Sequence, residues 1–453
     1  MNQFKNRHVL IIGLGKSGIA AAQALQKLGA KVAVQDSKRE ADIDAQTLDF
    51  LKISHVECYF GKSPENPGAF DLYVLSPGVT PELPFIQEAK KAGVEIAGEL
   101  EIAFRICPGN FVAITGTNGK TTTTTLSGEM FQNAGRKTFV VGNIGIAAIS
   151  TVLEADEDSW MVTETSSFQL ETIQYFKPKI SVLLNLTPDH MDRHKTMENY
   201  ARTKAKVYQN QDEHDYFIVN YDDPLAFDLS KDCKAKVVPF SRLSELEFGA
   251  YVKDETIMIR DEQKETTICA AGELKILGTH NLENALAASA MAYFAGIPSQ
   301  VIAETLRAFA GVEHRMEFCG EKNGVRFVND SKGTNPDASI KAINATAGDI
   351  ILIAGGYDKN SDFELFIDAF DRKVRYMMLM GETAEKIKQA AEKKGFENSV
   401  ILKDMGECVK EAFRLAKQGD TVLLSPACAS WDMYASFEHR GEHFKKCVTG
   451  LGN

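Results

Sequence analysis

The sequence has no pair of cysteines at metal-ligand or redox spacing; its eight Cys lie singly between Cys58 and Cys447. In a chain of 453 residues that pattern argues against a disulfide framework or a zinc ribbon and reads as reduced, mostly buried thiols of a cytoplasmic protein. Long hydrophobic runs are also missing. Stretches such as 350–354 are far too short to span a bilayer, and residues 1–10 lack the apolar stretch of a signal peptide. Positive charge is in deficit: 51 Lys and Arg stand against 62 Asp and Glu, a formal net charge of -11. That disfavours a broad nucleic-acid or anionic-membrane surface. It leaves room for an anionic small molecule, because a few cations can line one cleft. Internal repeats and low-complexity segments are absent as well.

What is present is alternation. Short β-rich runs at 9–12, 32–34, 72–75, 111–114, 180–184, 350–354 and 422–424 read as strands buried on both faces. Between them, stretches such as 17–28 and 282–295 carry apolar residues at helical spacing. This predicts an α/β chain of parallel sheets and covering helices, too long for one core. Strand-to-loop-to-helix starts at Gly13, at Gly116 and after Gly311 predict three domains, 1–107, 108–311 and 312–453, with turn residues at Cys107-Pro-Gly-Asn110 and Ala310-Gly-Val-Glu313. Within 222–278 the period-2 stretch 251–259 predicts antiparallel strands.

Gly13-Leu-Gly15-Lys-Ser-Gly18 follows a strand and opens a helix, and Asp36 ends the next strand. Alone this reads either as a dinucleotide site or as a Rossmann-like turn that merely needs glycine. Ser76 follows another strand and reaches the same crevice if the sheet is parallel. Gly116-Thr117-Asn118-Gly119-Lys120-Thr121-Thr122, after the strand 111–114, is a phosphate-binding loop for ATP or GTP. Its backbone N–H groups cradle phosphates, Lys120 neutralises charge and Thr121 offers a hydroxyl to Mg²⁺. It is a shortened form, with Ile114 where the usual first glycine stands. Glu164 ends a strand and suits a magnesium ligand. His190, beside Asp189, Asp192 and His194, is either a metal ligand or a loop cap. Asn281 and Asn284 share one helix face, as caps or as ligand contacts. Polar loops at 329–335, 355–359 and 425–432 each follow a strand, so all three belong at the carboxyl edge of one sheet. Two of them carry Lys332 and Lys359, a pair suited to a dicarboxylate. Cys428 lacks any activating neighbour and reads as a buried thiol.

Taken together, Gly116–Thr122, Glu164-Thr-Ser-Ser-Phe-Gln169, Asp189-His-Met-Asp-Arg193, Tyr200 to Lys204, His280-Asn-Leu-Glu-Asn284, His314-Arg315, Asn329-Asp-Ser-Lys332 and Ser425-Pro-Ala-Cys-Ala-Ser430 resemble the Mur ligase family, in order and over essentially the whole chain. The resemblance implies ATP-dependent amide-bond formation in peptidoglycan precursor synthesis, on the branch of the family that adds D-glutamate to UDP-N-acetylmuramoyl-L-alanine. It implies a Rossmann-like first domain, a central ATPase domain and a Rossmann-like third domain. The uridine diphosphate part would be held by Lys16, Ser17, Asp36, Ser37, Lys38 and Ser76, with no NAD, and Asn143 would touch substrate or metal. Lys120, Thr121, Glu164 and His190 would organise ATP and two Mg²⁺, with Lys204 carbamylated as a further metal ligand. Asn284, Arg315 and Asp330 would hold the nucleotide, and Lys332, Thr334, Lys359, Ser430 and Phe437 the D-glutamate. A cytoplasmic monomer is expected, with neither nucleic acid nor membrane span. Two rivals are an NAD(P)-binding protein built on Gly13-Leu-Gly15 and another amide ligase, such as a folate polyglutamate ligase.

Overall fold

The apolar runs become strands because each is buried on both faces and has no polar side to show to water. In the computed structural model, which describes residues 2–143, 145–276, 278–358 and 361–451, they form three sheets. The first joins β1 (His8–Ile12), β2 (Lys31–Asp36), β3 (Glu57–Phe60), β4 (Leu72–Leu75) and β5 (Glu95–Gly98) in the order 3-2-1-4-5, all parallel. The order reverses between β1 and β4, which opens a crevice at their carboxyl ends.

The second sheet contains β6 (Asn110–Thr115), β7 (Thr138–Gly142), β8 (Trp160–Glu164), β9 (Ile180–Leu183), β10 (Tyr216–Asn220), β11 (Lys236–Ser241), β12 (Gly249–Lys253), β13 (Thr256–Arg260) and β14 (Glu265–Ala270). Their order is 14-13-12-11-10-9-6-8-7, parallel from β7 to β12 and antiparallel beyond. The period-2 stretch at 251–259 is a hairpin of β12 and β13, antiparallel as expected. Asp254 and Glu255 turn it at φ 46° and 57°, and Lys253 pairs with Thr256. Two positive-φ residues suit the right-handed twist of the flanking strands, and alternation runs unbroken across such a turn.

The third sheet holds β15 (Glu317–Lys322), β16 (Val325–Asn329), β17 (Ile350–Ala354), β18 (Val374–Leu379), β19 (Ser399–Ile401) and β20 (Thr421–Leu424) in the order 15-16-20-17-18-19. Only β15 is antiparallel. Adjacent β16, β20 and β17 therefore bring the three polar loops to one edge, as their sequences predict. The eight cysteines are unpaired, three buried and five half-buried. Among the described residues no helix is long and apolar enough to cross a membrane.

Two buried carboxylates tie the first sheet's unit to the second. Both lie on the helix Glu99–Ile106. Glu101 accepts from the backbone N–H groups of Gln174 (2.9 Å), Tyr175 (3.0 Å) and Phe176 (3.0 Å), and pairs with Arg105 at 2.7 Å. Glu99 accepts only from Ile149 N–H at 2.7 Å among the described residues, and its second oxygen has no partner. Burial pushes the Glu99 carboxyl up to about 7. The folded state thus holds this proton more tightly than the unfolded chain, whose value is 4.5. Stability from this group is full below that value and is lost as pH rises through about 7. Glu99→Gln is expected to raise the Tm by a few degrees at about pH 8.5 and to leave it nearly unchanged at about pH 5. Thermal melts at both pH values check this; equal shifts would contradict it.

Candidate active site

The phosphate loop is stretched between β6 and the helix Lys120–Asn133. Gly119 caps that helix at φ 86°, where a side chain would run into the Asn284 amide. Gly116, at φ 148°, passes so close to Leu184 that a Cβ would sit 2.9 Å from its Cβ. The shortened loop is braced from the end of β9. Thr117 and Asn118 N–H donate to the Asn185 carbonyl (3.0 Å) and side-chain oxygen (2.9 Å), and the Asn185 amide donates back to the Asn118 carbonyl at 3.0 Å. Lys120 Nζ folds over the loop onto the carbonyls of Gly116 (3.0 Å) and Thr117 (2.8 Å).

Glu164, at the end of β8, is buried and held from both sides. Thr121 donates to one oxygen and the Asn143 amide to the other, each at 2.9 Å. Asn143 thus stands at the Glu164 carboxylate. His190 has φ 54°; its ring lies 3.6 Å from Asp189 and edge-on to Phe168 at 4.8 Å. His194 instead turns inward to Ser167 at 2.9 Å and stacks on Phe168, so the two histidines do not form one ligand pair there. The Thr121 hydroxyl and the carboxylates of Glu164 and Asp189 are hard oxygen donors, and they fit Mg²⁺.

Lys204 is not a solvated helix lysine. It is 2% exposed, donates to the Gly116 carbonyl at 2.8 Å and lies 4.7 Å over the Tyr200 ring. It makes no ion pair among the described residues. Burial, and next the charge of Lys120, hold its amine well below the usual lysine range. Two lysine nitrogens thus converge on one carbonyl oxygen.

Beside the loop lies a narrow cleft lined by Asn118, Gly119, Thr122, Asn284, Arg315 and Asp330, among others. The Asn284 amide donates to Asn281 at 3.1 Å. Asn281 is buried inside the helix Thr279–Phe294, whose N-cap is Gly278, so it is not a cap. Asp330 is buried, accepts from Ser425 at 2.7 Å and faces Arg315 at 3.7 Å. Burial pushes its carboxyl up to about 6, and Arg315 opposes the shift. The third unit reaches the loop through Asp337, which accepts from the Asn118 amide and from the Thr187 hydroxyl.

In the crevice of the first sheet, Lys16, Ser17, Asp36, Lys38 and Ser76 line a cleft of about 1000 Å³. Ser37 lines a neighbouring cleft of about 1440 Å³ together with Asp36. The Asp36 oxygens accept from the N–H groups of Leu14 (2.7 Å) and Lys38 (2.9 Å), and Ser76 donates to the Gly13 carbonyl at 2.8 Å. Asp36 thus fixes the glycine loop itself.

At the third sheet's edge, Lys332 lies 4.9 Å over the Phe437 ring, and burial lowers its amine to about 8. The charges of Glu164 and Lys120 act on it too, so it borders the phosphate loop. The Thr334 N–H donates to the Lys332 carbonyl at 2.9 Å, and Ser430 is buried after β20. Lys359 lies outside the described residues. The Cys428 thiol is buried and pushed up to about 12, which leaves it neutral. Asn185 and Asp337 escape a motif search. Asn185 had one signal, a polar residue just past a strand.

Family models match three stretches: "Mur ligase MurD-like, N-terminal domain" over residues 7–98, "Mur ligase middle domain" over 114–292 and "Mur ligase, glutamate ligase domain" over 314–428. A protein of Thermoanaerobacter sp. (strain X514) named UDP-N-acetylmuramoylalanine--D-glutamate ligase is 52% identical over 452 residues, 99% of each chain. Its namesake in Clostridioides difficile (strain 630) is 47% identical over 449 residues, again 99% of each. Among solved structures, the pseudomurein peptide ligase type C of Methanothermus fervidus aligns at TM-score 0.62 with 18% identity, over 99% of this chain and 100% of that one. The UDP-N-acetylmuramate-alanine ligase of Thermotoga maritima aligns at 0.61 with 17% identity, over 98% and 99%. Those two likenesses concern the fold; the full-length identities carry the family, and the chain belongs to the Mur ligases, ATP-dependent enzymes that form amide bonds.

Proposed function

We propose that this chain joins the amine of D-glutamate to the L-alanyl carboxylate of UDP-N-acetylmuramoyl-L-alanine, converting ATP to ADP and phosphate. The carrying observation is full-length identity of about half to proteins named for that reaction. The geometry agrees with it, because Lys332, held over the Phe437 ring, lies within reach of the charges of Glu164 and Lys120. In this reading residues 1–107 bind the uridine diphosphate part through Lys16, Ser17, Asp36, Ser37, Lys38 and Ser76. Residues 108–311 bind ATP on Gly116–Thr122, and residues 312–453 bring Arg315 and Asp330 to the nucleotide, opposite Asn284. Lys332, Thr334, Lys359, Ser430 and Phe437 hold the D-glutamate.

A carboxylate is a poor acylating agent, so its oxygen must first become a leaving group. The L-alanyl carboxylate oxygen attacks the γ-phosphorus, the bond to ADP breaks and an acyl phosphate forms. The D-glutamate amine then attacks the acyl carbon and loses a proton, and phosphate leaves. Lys120 neutralises charge on the transferred phosphoryl group in a cleft that excludes water. Thr121, Glu164, His190 and a carbamylated Lys204 are the residues to hold two Mg²⁺, which when bound screen the phosphate charges. One chain supplies every residue of the site, so a monomer suffices, and its nucleotide substrates fit the cytoplasm. A folate-type amide ligase has no use for the crevice of the first sheet. The test is phosphate release with ATP, UDP-N-acetylmuramoyl-L-alanine and a panel of amino acids. Release with D-glutamate and not L-glutamate is expected; release with another amino acid alone would overturn the reading.

A further inference from the structure

Arg440 is 1% exposed and makes no ion pair among the described residues. A buried charge without a partner is expensive, and a Met of similar reach would fill the space without that penalty. The guanidinium is used instead as a fork. Nε donates to the Ser331 hydroxyl at 3.0 Å, and Nη2 to the carbonyls of Ser331 (2.8 Å) and Cys428 (3.1 Å). Nη1 donates to the Ala429 carbonyl at 3.1 Å, and the Ser331 hydroxyl passes on to the Phe437 carbonyl at 2.8 Å. One side chain thus holds three pieces of backbone: the loop after β16 next to Lys332, the loop after β20 next to Ser430, and the start of the helix Phe437–Thr449.

The nearby carboxylates are engaged elsewhere. Asp330 serves Ser425 and Arg315, and Asp432 accepts from the Glu382 N–H at 2.9 Å. The Cys428 thiol is neutral. Asp432 and Asp330 act on the guanidinium from nearby without pairing with it. Behind the amino-acid subsite there remains a fixed positive charge in a low-dielectric setting, where it acts strongly on an anion. We propose that Arg440 is the positioning residue of that subsite: it sets the spacing of Lys332, Ser430 and Phe437 and supplies a positive potential that an incoming dicarboxylate amino acid neutralises. The inference rests on the proposed function, in that D-glutamate is the dicarboxylate.

Two half-reactions separate this role from a merely structural one. Acyl phosphate formed without amino acid is trapped by hydroxylamine as the hydroxamate, with phosphate released; full ligation also needs D-glutamate. Arg440→Lys, which keeps the charge and loses the fork, is expected to raise KM for D-glutamate on the order of tenfold. Arg440→Gln, which loses both, is expected to raise it on the order of a hundredfold. Hydroxamate formation and KM for ATP should stay within about twofold of wild type in both. Equal losses in trapping and ligation, an unchanged KM for D-glutamate, or equal effects of the two variants would overturn the proposal. If neither variant folds, Ser331→Ala decides: a rise of about threefold in KM for D-glutamate with normal trapping supports it, and no rise overturns it. Wild-type protein that releases no phosphate with D-glutamate would overturn the proposed function instead, before any variant is made.

Discussion

Lys120→Ala is expected to lower kcat by on the order of a thousandfold or more while the protein stays folded. The lysine opens the helix Lys120–Asn133, and its Nζ lies on the carbonyls of Gly116 and Thr117, inside the curve of the loop. Those bonds replace hydration, so removing the side chain leaves carbonyls that water or a neighbouring N–H can serve. Alanine is at least as good a helix former as lysine, so local structure should survive. The loss falls on the reaction. As the γ-phosphoryl group passes between oxygens, its negative charge spreads over the equatorial oxygens, and an ammonium held on the loop stabilises that spread more than the ground state. Nucleotide binding should therefore weaken far less than turnover. Phosphate release, calorimetric titration of a non-hydrolysable ATP analogue and a thermal melt together check this. A variant that keeps more than about a tenth of wild-type kcat would remove Lys120 from the chemistry.

The units and the phosphate loop were legible in the sequence because parallel strands buried on both faces read as unbroken apolar runs. Their carboxyl ends then collect the glycines and polar residues that follow. That is how Thr121, Glu164 and the edge loops of the third sheet could be placed in advance. The Asp254-Glu255 turn was not legible, since Glu255 stands where such a turn usually carries glycine and alternation continues through it. Long-range partners were hidden for another reason. Asn118 meets Asp337 across 219 positions, and Arg440 meets Ser331 across 109. Spacing along the chain carries no trace of such pairs: the first depends on how the third unit sits against the second, and the other on how the last helix packs under the loop after β16 within the third unit. His194 misled for a local reason: proximity to Asp189 and His190 suggested a shared site, but a one-turn helix at 191–194 rotates its ring toward Ser167.

Lys204 is expected to carry a carbamate, and Lys204→Ala to lower kcat by about a hundredfold or more. The motif places the lysine four residues after Tyr200, and the geometry supplies the physical reason. Lys120 and Lys204 both donate to the Gly116 carbonyl, at 3.0 Å and 2.8 Å. Two ammonium ions sharing one acceptor in a buried site repel each other, so one of them must lose its charge. Burial and Lys120 hold the Lys204 amine well below the ordinary range, which makes it the one to give up the proton. A neutral amine is nucleophilic. Its lone pair attacks the carbon of carbon dioxide, one N–H proton leaves to solvent, and the product is an anion with two oxygens. That reverses the sign of the group beside Lys120, replacing repulsion by attraction, and adds oxygen donors suited to Mg²⁺ near Thr121 and Glu164. Carbon-13 NMR of protein equilibrated with labelled bicarbonate, wild type against Lys204→Ala, should show a carbamate resonance in the first alone. Turnover should fall when carbon dioxide is rigorously removed and return when bicarbonate is added. Full activity without carbon dioxide, or in Lys204→Ala itself, would leave the buried lysine as an unmodified prop beneath the phosphate loop.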